Sequence, residues 1–140
     1  MNKRLRVLFH VISLATALPA IAAASKPELA AQPAAQEWFA LVDGGSLAES
    51  WDKMAATFKK EISKRKWKST IAELRKPLGK LGSRKLKSAE YTKELPGAPE
   101  GEYVVARFET AFERKPAAIE TVTLLLGQDL IWRVSSYAVK

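Results

Sequence analysis

The chain contains no cysteine, and its only histidine, His10, lies close to the N-terminus. The first absence excludes disulfides, thiol nucleophiles and lipid attachment through an N-terminal cysteine, so the fold rests on its core alone. The second absence matters because of where His10 sits. Met1-Asn2-Lys3-Arg4-Leu5-Arg6 carries three positive charges and no acid, an apolar stretch runs from Val7 to Ile21, and Ala22-Ala23-Ala24 comes next. That order of basic, apolar and small residues is a secretory signal peptide, with Ala22 and Ala24 in the two positions that must be small. Cleavage is expected after Ala24, which makes residues 1–24 a removed signal and the product periplasmic. An uncleaved anchor would need about 20 apolar residues, and here His10, Ser13, Thr16 and Pro19 interrupt a shorter run.

The chain beyond Ala24 has neither histidine nor cysteine. That excludes Ser-His-Asp and Cys-His catalysis, the common zinc sites and haem ligation through those side chains. Catalysis would fall to Asp, Glu, Lys, Tyr or Ser, and no metal or cofactor is expected. Long apolar runs are also missing: the densest later stretch is Val122 to Leu126, too short to span a bilayer. The 116 residues left of 140 suffice for one soluble domain and not for two.

Charge is unevenly spread. Residues 25–140 hold 20 basic residues against 15 acids, and Lys53 to Lys87 hold 13 Lys or Arg against Glu61 and Glu73. That block is net +11, and the remainder after Ala24 sums to −6. In an exported protein the matching anions are phospholipid head groups, lipopolysaccharide phosphates or acidic glycans rather than nucleic acid. The plainer reading is a solvated helix face, because Lys59, Lys60, Lys64, Arg65, Lys66 and Lys68 fall between apolar positions.

Residues 25–33, with Pro27 and Pro33, read as a flexible leader to a domain over 34–140. Ala35, Trp38, Phe39 and Val42 stand at i, i+3, i+4 and i+7 and predict a first helix over about 34–42, stopped by Asp43-Gly44-Gly45. Ser46 with Glu49 three residues on is a capping-box pattern. Leu47, Trp51, Met54, Ala55, Phe58 and Ile62 then predict one apolar stripe over four turns. Trp67, Ile71, Leu74 and Leu78 predict a third helix, limited by Pro77. After Gly82 the period changes to 2. A strand over 83–95 is expected, with its alternation slipping between Leu86 and Ala89 as a bulge would require. Further strands are predicted over 102–113, 118–126 and 130–139, with a turn at Lys115-Pro116. Helices followed by closely joined strands imply an α+β domain, with three helices on a four-stranded antiparallel sheet. Apolar residues on both faces of the later strands lead us to expect a homodimer through the uncovered face.

The segments Glu37-Trp38-Phe39-Ala40-Leu41-Val42-Asp43-Gly44-Gly45, Ser50-Trp51, Pro77-Leu78-Gly79, Ser83-Arg84, Leu95-Pro96-Gly97-Ala98-Pro99, Gly101-Glu102-Tyr103-Val104-Val105, Glu120-Thr121-Val122-Thr123-Leu124, Trp132-Arg133-Val134 and Tyr137 together resemble an exported bacterial family, domain of unknown function 4019. The resemblance spans nearly all of the chain after Ala24 and carries no assigned activity. It implies a curved sheet wrapping a helix, similar to the cystatin-like and nuclear-transport-factor-2-like (NTF2-like) cones, an analogy of fold that transfers no function.

If such a cone is not filled by its helix it leaves a pocket, for which Trp38, Trp51, Phe58, Trp67, Tyr103, Arg107, Phe108 and Glu109 are the candidate lining residues; the alternative is that the aromatics are core. Arg107 and Glu109 share the odd face of the second strand, facing either cavity or solvent. Ser50 with Lys53 and Ser63 with Lys66 match Ser-x-x-Lys, yet the companion motifs of penicillin-binding enzymes are missing. Glu109 or Glu120 with Tyr103 could serve an isomerase-like site, although nothing in their spacing demands it. The expected protein is therefore a non-catalytic periplasmic binding or interaction module of unknown ligand. The alternatives are a small enzyme or ligand carrier using the cone interior, and a module that contacts anionic envelope surfaces through its basic helices.

Overall fold

A computed structural model describes residues 26–140; the expected signal peptide lies outside them. A single helical turn, α1 (Pro27–Ala30), leads into α2 (Gln32–Asp43), then α3 (Leu47–Asp52), α4 (Ala56–Glu61), α5 (Lys64–Arg75) and a 3₁₀ turn at Lys76–Leu78. Strands β1 (Leu81–Thr92), β2 (Tyr103–Phe112), β3 (Lys115–Leu126) and β4 (Trp132–Val139) form one antiparallel sheet in the order β1-β2-β3-β4. The helices cover one face, so the α+β architecture expected from the sequence is present.

Inward residues alternate as strand pleating requires. Val104, Ala106, Phe108 and Phe112 of β2, Ala118, Val122 and Leu124 of β3 and Val134 of β4 are all buried. Against them pack Ala35, Trp38, Phe39 and Val42 of α2, Met54, and Trp67 and Ile71 of α5. Trp38 is central: its ring contacts Phe39, Trp67 and Tyr137 at centroid distances of 5.7, 6.1 and 5.1 Å. The bulge anticipated in β1 occurs between Leu86 and Ser88.

Several details differ from the sequence reading. The leader is not featureless: α1 forms within it and Ala31 is fully buried in the core. The stripe from Leu47 to Ile62 is two short helices rather than one. Ala55 is extended (φ −60°, ψ 146°) and its N–H donates to the Val134 carbonyl at 2.8 Å. That bond ties the interhelix link to β4 and breaks the helix. α3 begins after Ser46 as expected, but the Ser46 side chain makes no cap bond; the working cap is Ser63, whose hydroxyl accepts from the Lys66 N–H at 3.2 Å. Leu74 is exposed rather than buried. The β2–β3 turn falls at Glu113-Arg114, with Lys115 already paired to Phe112.

Gly45 closes α2 in the left-handed region (φ 79°), where a side chain would be strained. The β3–β4 turn places Leu130 at φ 62°, and Leu130 and Ile131 stand 77% and 51% exposed at its tip. Asp129 braces the turn through two bonds to Arg133 (3.0 and 2.7 Å) and one from the Ile131 N–H (3.2 Å).

Candidate functional site

A charged cluster occupies the junction of α2, α5 and the inner face of the sheet. Register places Arg84 of β1 opposite Thr110 of β2, and Phe108 opposite Glu120 of β3; all four point toward the helices. Glu120 is 0% exposed. An isolated carboxylate there would be prohibitively costly, and it is fully supplied with donors. Arg84 Nε and Nη2 donate to it at 2.7 and 3.3 Å, Thr110 Oγ1 at 2.6 Å, and the Tyr137 hydroxyl completes the set. The Arg84 side chain, 12% exposed, also donates to both oxygens of Asp43 at 2.7 and 3.1 Å and lies 3.7 Å from the Phe39 ring centroid.

Asp43 is the last residue of α2, where the negative end of the helix dipole disfavours an acid. Arg84 and Arg75, whose Nη2 reaches Asp43 at 2.7 Å, offset this. Burial alone would raise the Asp43 pKa, but hydrogen bonds from Arg84 and Arg75 outweigh it and hold the carboxyl below its ordinary value. Burial pushes the Tyr137 phenol well above its ordinary value, and the adjacent Glu120 charge adds to the rise. The same two acids keep Arg84 firmly protonated despite burial. Two guanidinium groups thus meet two carboxylates, and the cluster is neutral as a whole.

Beside it, α2 and β1 do not close completely. A cleft of about 270 Å³ opens there, with Phe39, Leu86 and Phe108 among its apolar walls and Gln32, Gln36, Asp43 and Arg84 supplying polar groups. Gln32 Nε2 donates to the Glu28 carbonyl at 3.0 Å. Gln36 is exposed and its amide has no side-chain partner among the described residues.

The residues nominated from sequence do not line one cavity. Trp38 and Trp67 are core, their indole N–H groups donating to the Ser50 carbonyl (3.1 Å) and the Ser50 hydroxyl (2.9 Å). Phe58 packs edge-on against Trp67 at 5.3 Å. Trp51 is half-buried and donates to the Ile62 carbonyl at 2.9 Å. Tyr103 is buried but turned away, its hydroxyl donating to the Pro99 carbonyl at 2.7 Å; it therefore does not join Glu120. Arg107 and Glu109 lie on the outer sheet face, paired with Glu90 (3.3 Å) and Lys87 (3.7 Å). Of the eight, Phe108 alone borders the cleft.

Neither Ser-x-x-Lys pair is a dyad. The Ser50 hydroxyl donates to the Leu47 carbonyl at 2.6 Å, while Lys53 Nζ reaches Glu37 at 3.3 Å; Ser63 is the α5 cap. Among the described residues no three His, Cys, Asp or Glu side chains converge to hold a metal. Of the partners of Glu120, Arg84 and Tyr137 enter the sequence reading only through the family resemblance and Thr110 not at all; none is nominated there as a site residue. The available signal was a charge at an inward position of an otherwise apolar alternation, Ala118, Glu120, Val122, Leu124, which requires a buried partner.

A helix-covered antiparallel sheet with a self-neutralised ion cluster at its centre defines an α+β domain whose buried charges hold one another. The family described as "Protein of unknown function (DUF4019)" matches residues 34–137, and the chain belongs to that family. No curated protein matches the chain.

Proposed function

We propose that the protein is a non-catalytic binding module of the bacterial periplasm, and that its ligand site is the cleft between α2 and β1. The observation that carries this reading is the contrast between the cleft and the cluster beside it. Glu120, Arg84 and Asp43 commit their hydrogen bonds to one another and to Thr110, Tyr137 and Arg75, so no carboxylate is left free to act as a base. The cleft itself offers apolar walls from Phe39, Leu86 and Phe108 and an uncommitted amide at Gln36. Apolar walls with a few fixed polar groups suit a small, mostly apolar ligand or side chain carrying one hydrogen-bonding end. The periplasmic assignment is supported by the sequence of residues 1–24.

Native mass spectrometry of the protein recovered from the periplasm tests this. The expected result is an added mass that disappears on denaturation and is not retained by Ala40→Trp, a substitution on the exposed side of α2 that fills the cleft mouth. An added mass held equally by Ala40→Trp would place the ligand elsewhere, and a clean spectrum of the wild-type chain would overturn the cleft as a small-molecule site.

A further inference from the structure

Of the seven basic residues of α4 and α5 the fold engages three: Arg75 pairs with Asp43 at 2.7 Å, Lys64 pairs with Asp52 at 2.7 Å, and Lys59 Nζ donates to the Asp52 carbonyl at 3.1 Å. Lys60, Arg65, Lys66 and Lys68 are exposed, and none takes part in an ion pair among the described residues. Trp67 and Ile71 turn inward, so Arg65, Lys66 and Lys68 fan over the opposite, solvent side of α5, a helix of 12 residues that is roughly 18 Å long. Like charges so close repel one another and gain nothing from folding. They gain when an anionic surface approaches.

We infer that the solvent face of α5 docks on an anionic phospholipid bilayer through Arg65, Lys66 and Lys68. The shape of the patch favours a broad array of head groups over a nucleic-acid strand. It is a convex helix face, and it lacks an aromatic platform on which bases would stack. Trp67 is buried, and the Trp51 ring is covered by Lys59 and Lys64, whose ammonium groups lie 5.5 and 5.3 Å from its centroid. Leu74 is the one exposed large apolar residue of α5, so attachment is electrostatic, without deep insertion, and responds to salt.

The test is co-sedimentation of the purified chain with vesicles of phosphatidylglycerol and phosphatidylcholine, at low and high salt, beside vesicles of phosphatidylcholine alone. Each cation near an anionic surface contributes roughly fivefold to partitioning. The combined Arg65→Gln, Lys66→Gln, Lys68→Gln variant is therefore expected to bind about 100-fold more weakly, with an unchanged melting temperature. Neutralising Lys85, Lys93 and Lys140 instead leaves binding within about twofold. High salt releases the wild-type chain, because charges beyond a Debye length are screened. Equal losses in the two triple variants would overturn the patch in favour of net charge. Salt-insensitive binding, or equal binding to phosphatidylcholine alone, would overturn the electrostatic contact in favour of exposed apolar residues such as Leu130 and Ile131. Tighter capture of a single-stranded oligonucleotide than of vesicles would make the partner a nucleic acid.

Discussion

Glu120→Leu is the perturbation that tests the buried cluster most directly. Leucine fills nearly the same volume, so the cost is that of polar groups left without an acceptor rather than that of a cavity. Arg84 Nε, the Thr110 hydroxyl and the Tyr137 hydroxyl all lose Glu120, and only the Asp43 side of Arg84 stays paired. Removing one partner of a buried ion pair costs about 3–5 kcal/mol. A domain of this size unfolds with an entropy of about 0.24 kcal/mol/K, so the loss corresponds to a melting temperature lower by about 12–20 °C. Total stability for such a domain is about 6–17 kcal/mol, so the variant remains folded in the cold. Urea unfolding followed by circular dichroism and tryptophan fluorescence should show a lower midpoint at unchanged slope. Adding Arg84→Met to Glu120→Leu should restore part of the loss, since a buried pair replaced by apolar side chains is often close to neutral. If Glu120→Leu alone costs less than about 1 kcal/mol, below the range for a broken buried pair, the cluster does not hold the helices to the sheet.

The pH dependence of stability has two arms. The Asp43 pKa is held below its ordinary 3.8, so its stabilisation is present above that pH and is lost as pH falls through the folded-state value. Tyr137 is raised above 10.0, so stability is lost as pH rises past 10, where only the unfolded chain ionises; chemical denaturation across pH should be flattened on the acid side by Asp43→Asn and on the alkaline side by Tyr137→Phe. Leu130→Asn should raise the melting temperature by a few degrees, because relief of the left-handed backbone is worth about 1 kcal/mol and a side chain 77% exposed buries little. A lower melting temperature would refute backbone strain at this position.

Periodicity made the helix layer and the meander legible because each element buries one face, and the slip between Leu86 and Ala89 announced the β1 bulge. The break at Ala55 was not legible. The stripe from Leu47 to Ile62 fits one helix as well as two, and the deciding contact, the Ala55 N–H on the Val134 carbonyl, comes from the far end of the chain. The site was hidden for a similar reason. Arg84, Thr110, Glu120 and Tyr137 are brought together by strand register, and Asp43 and Arg75 by helix ends, none of which the spacing between them along the chain reveals. Trp38 and Trp67 fit a pocket and a core equally well by pattern; the buried Ser50, which satisfies both indoles, decides for the core.

The order β1-β2-β3-β4 means that every strand pairs with its neighbour in sequence, across connections of ten, two and five residues, so closing each hairpin costs little chain entropy beside the longer closures of the fold. The contacts that unite sheet and helices have the opposite character. Trp38 meets Tyr137, and Ala55 meets Val134, across most of the chain. Non-local closure of this kind is what slows folding. The sheet therefore has the more local route to assembly, and capture of α2 and the α3–α4 link on its inner face is the step expected to be slow, the one that dries the Glu120 cluster.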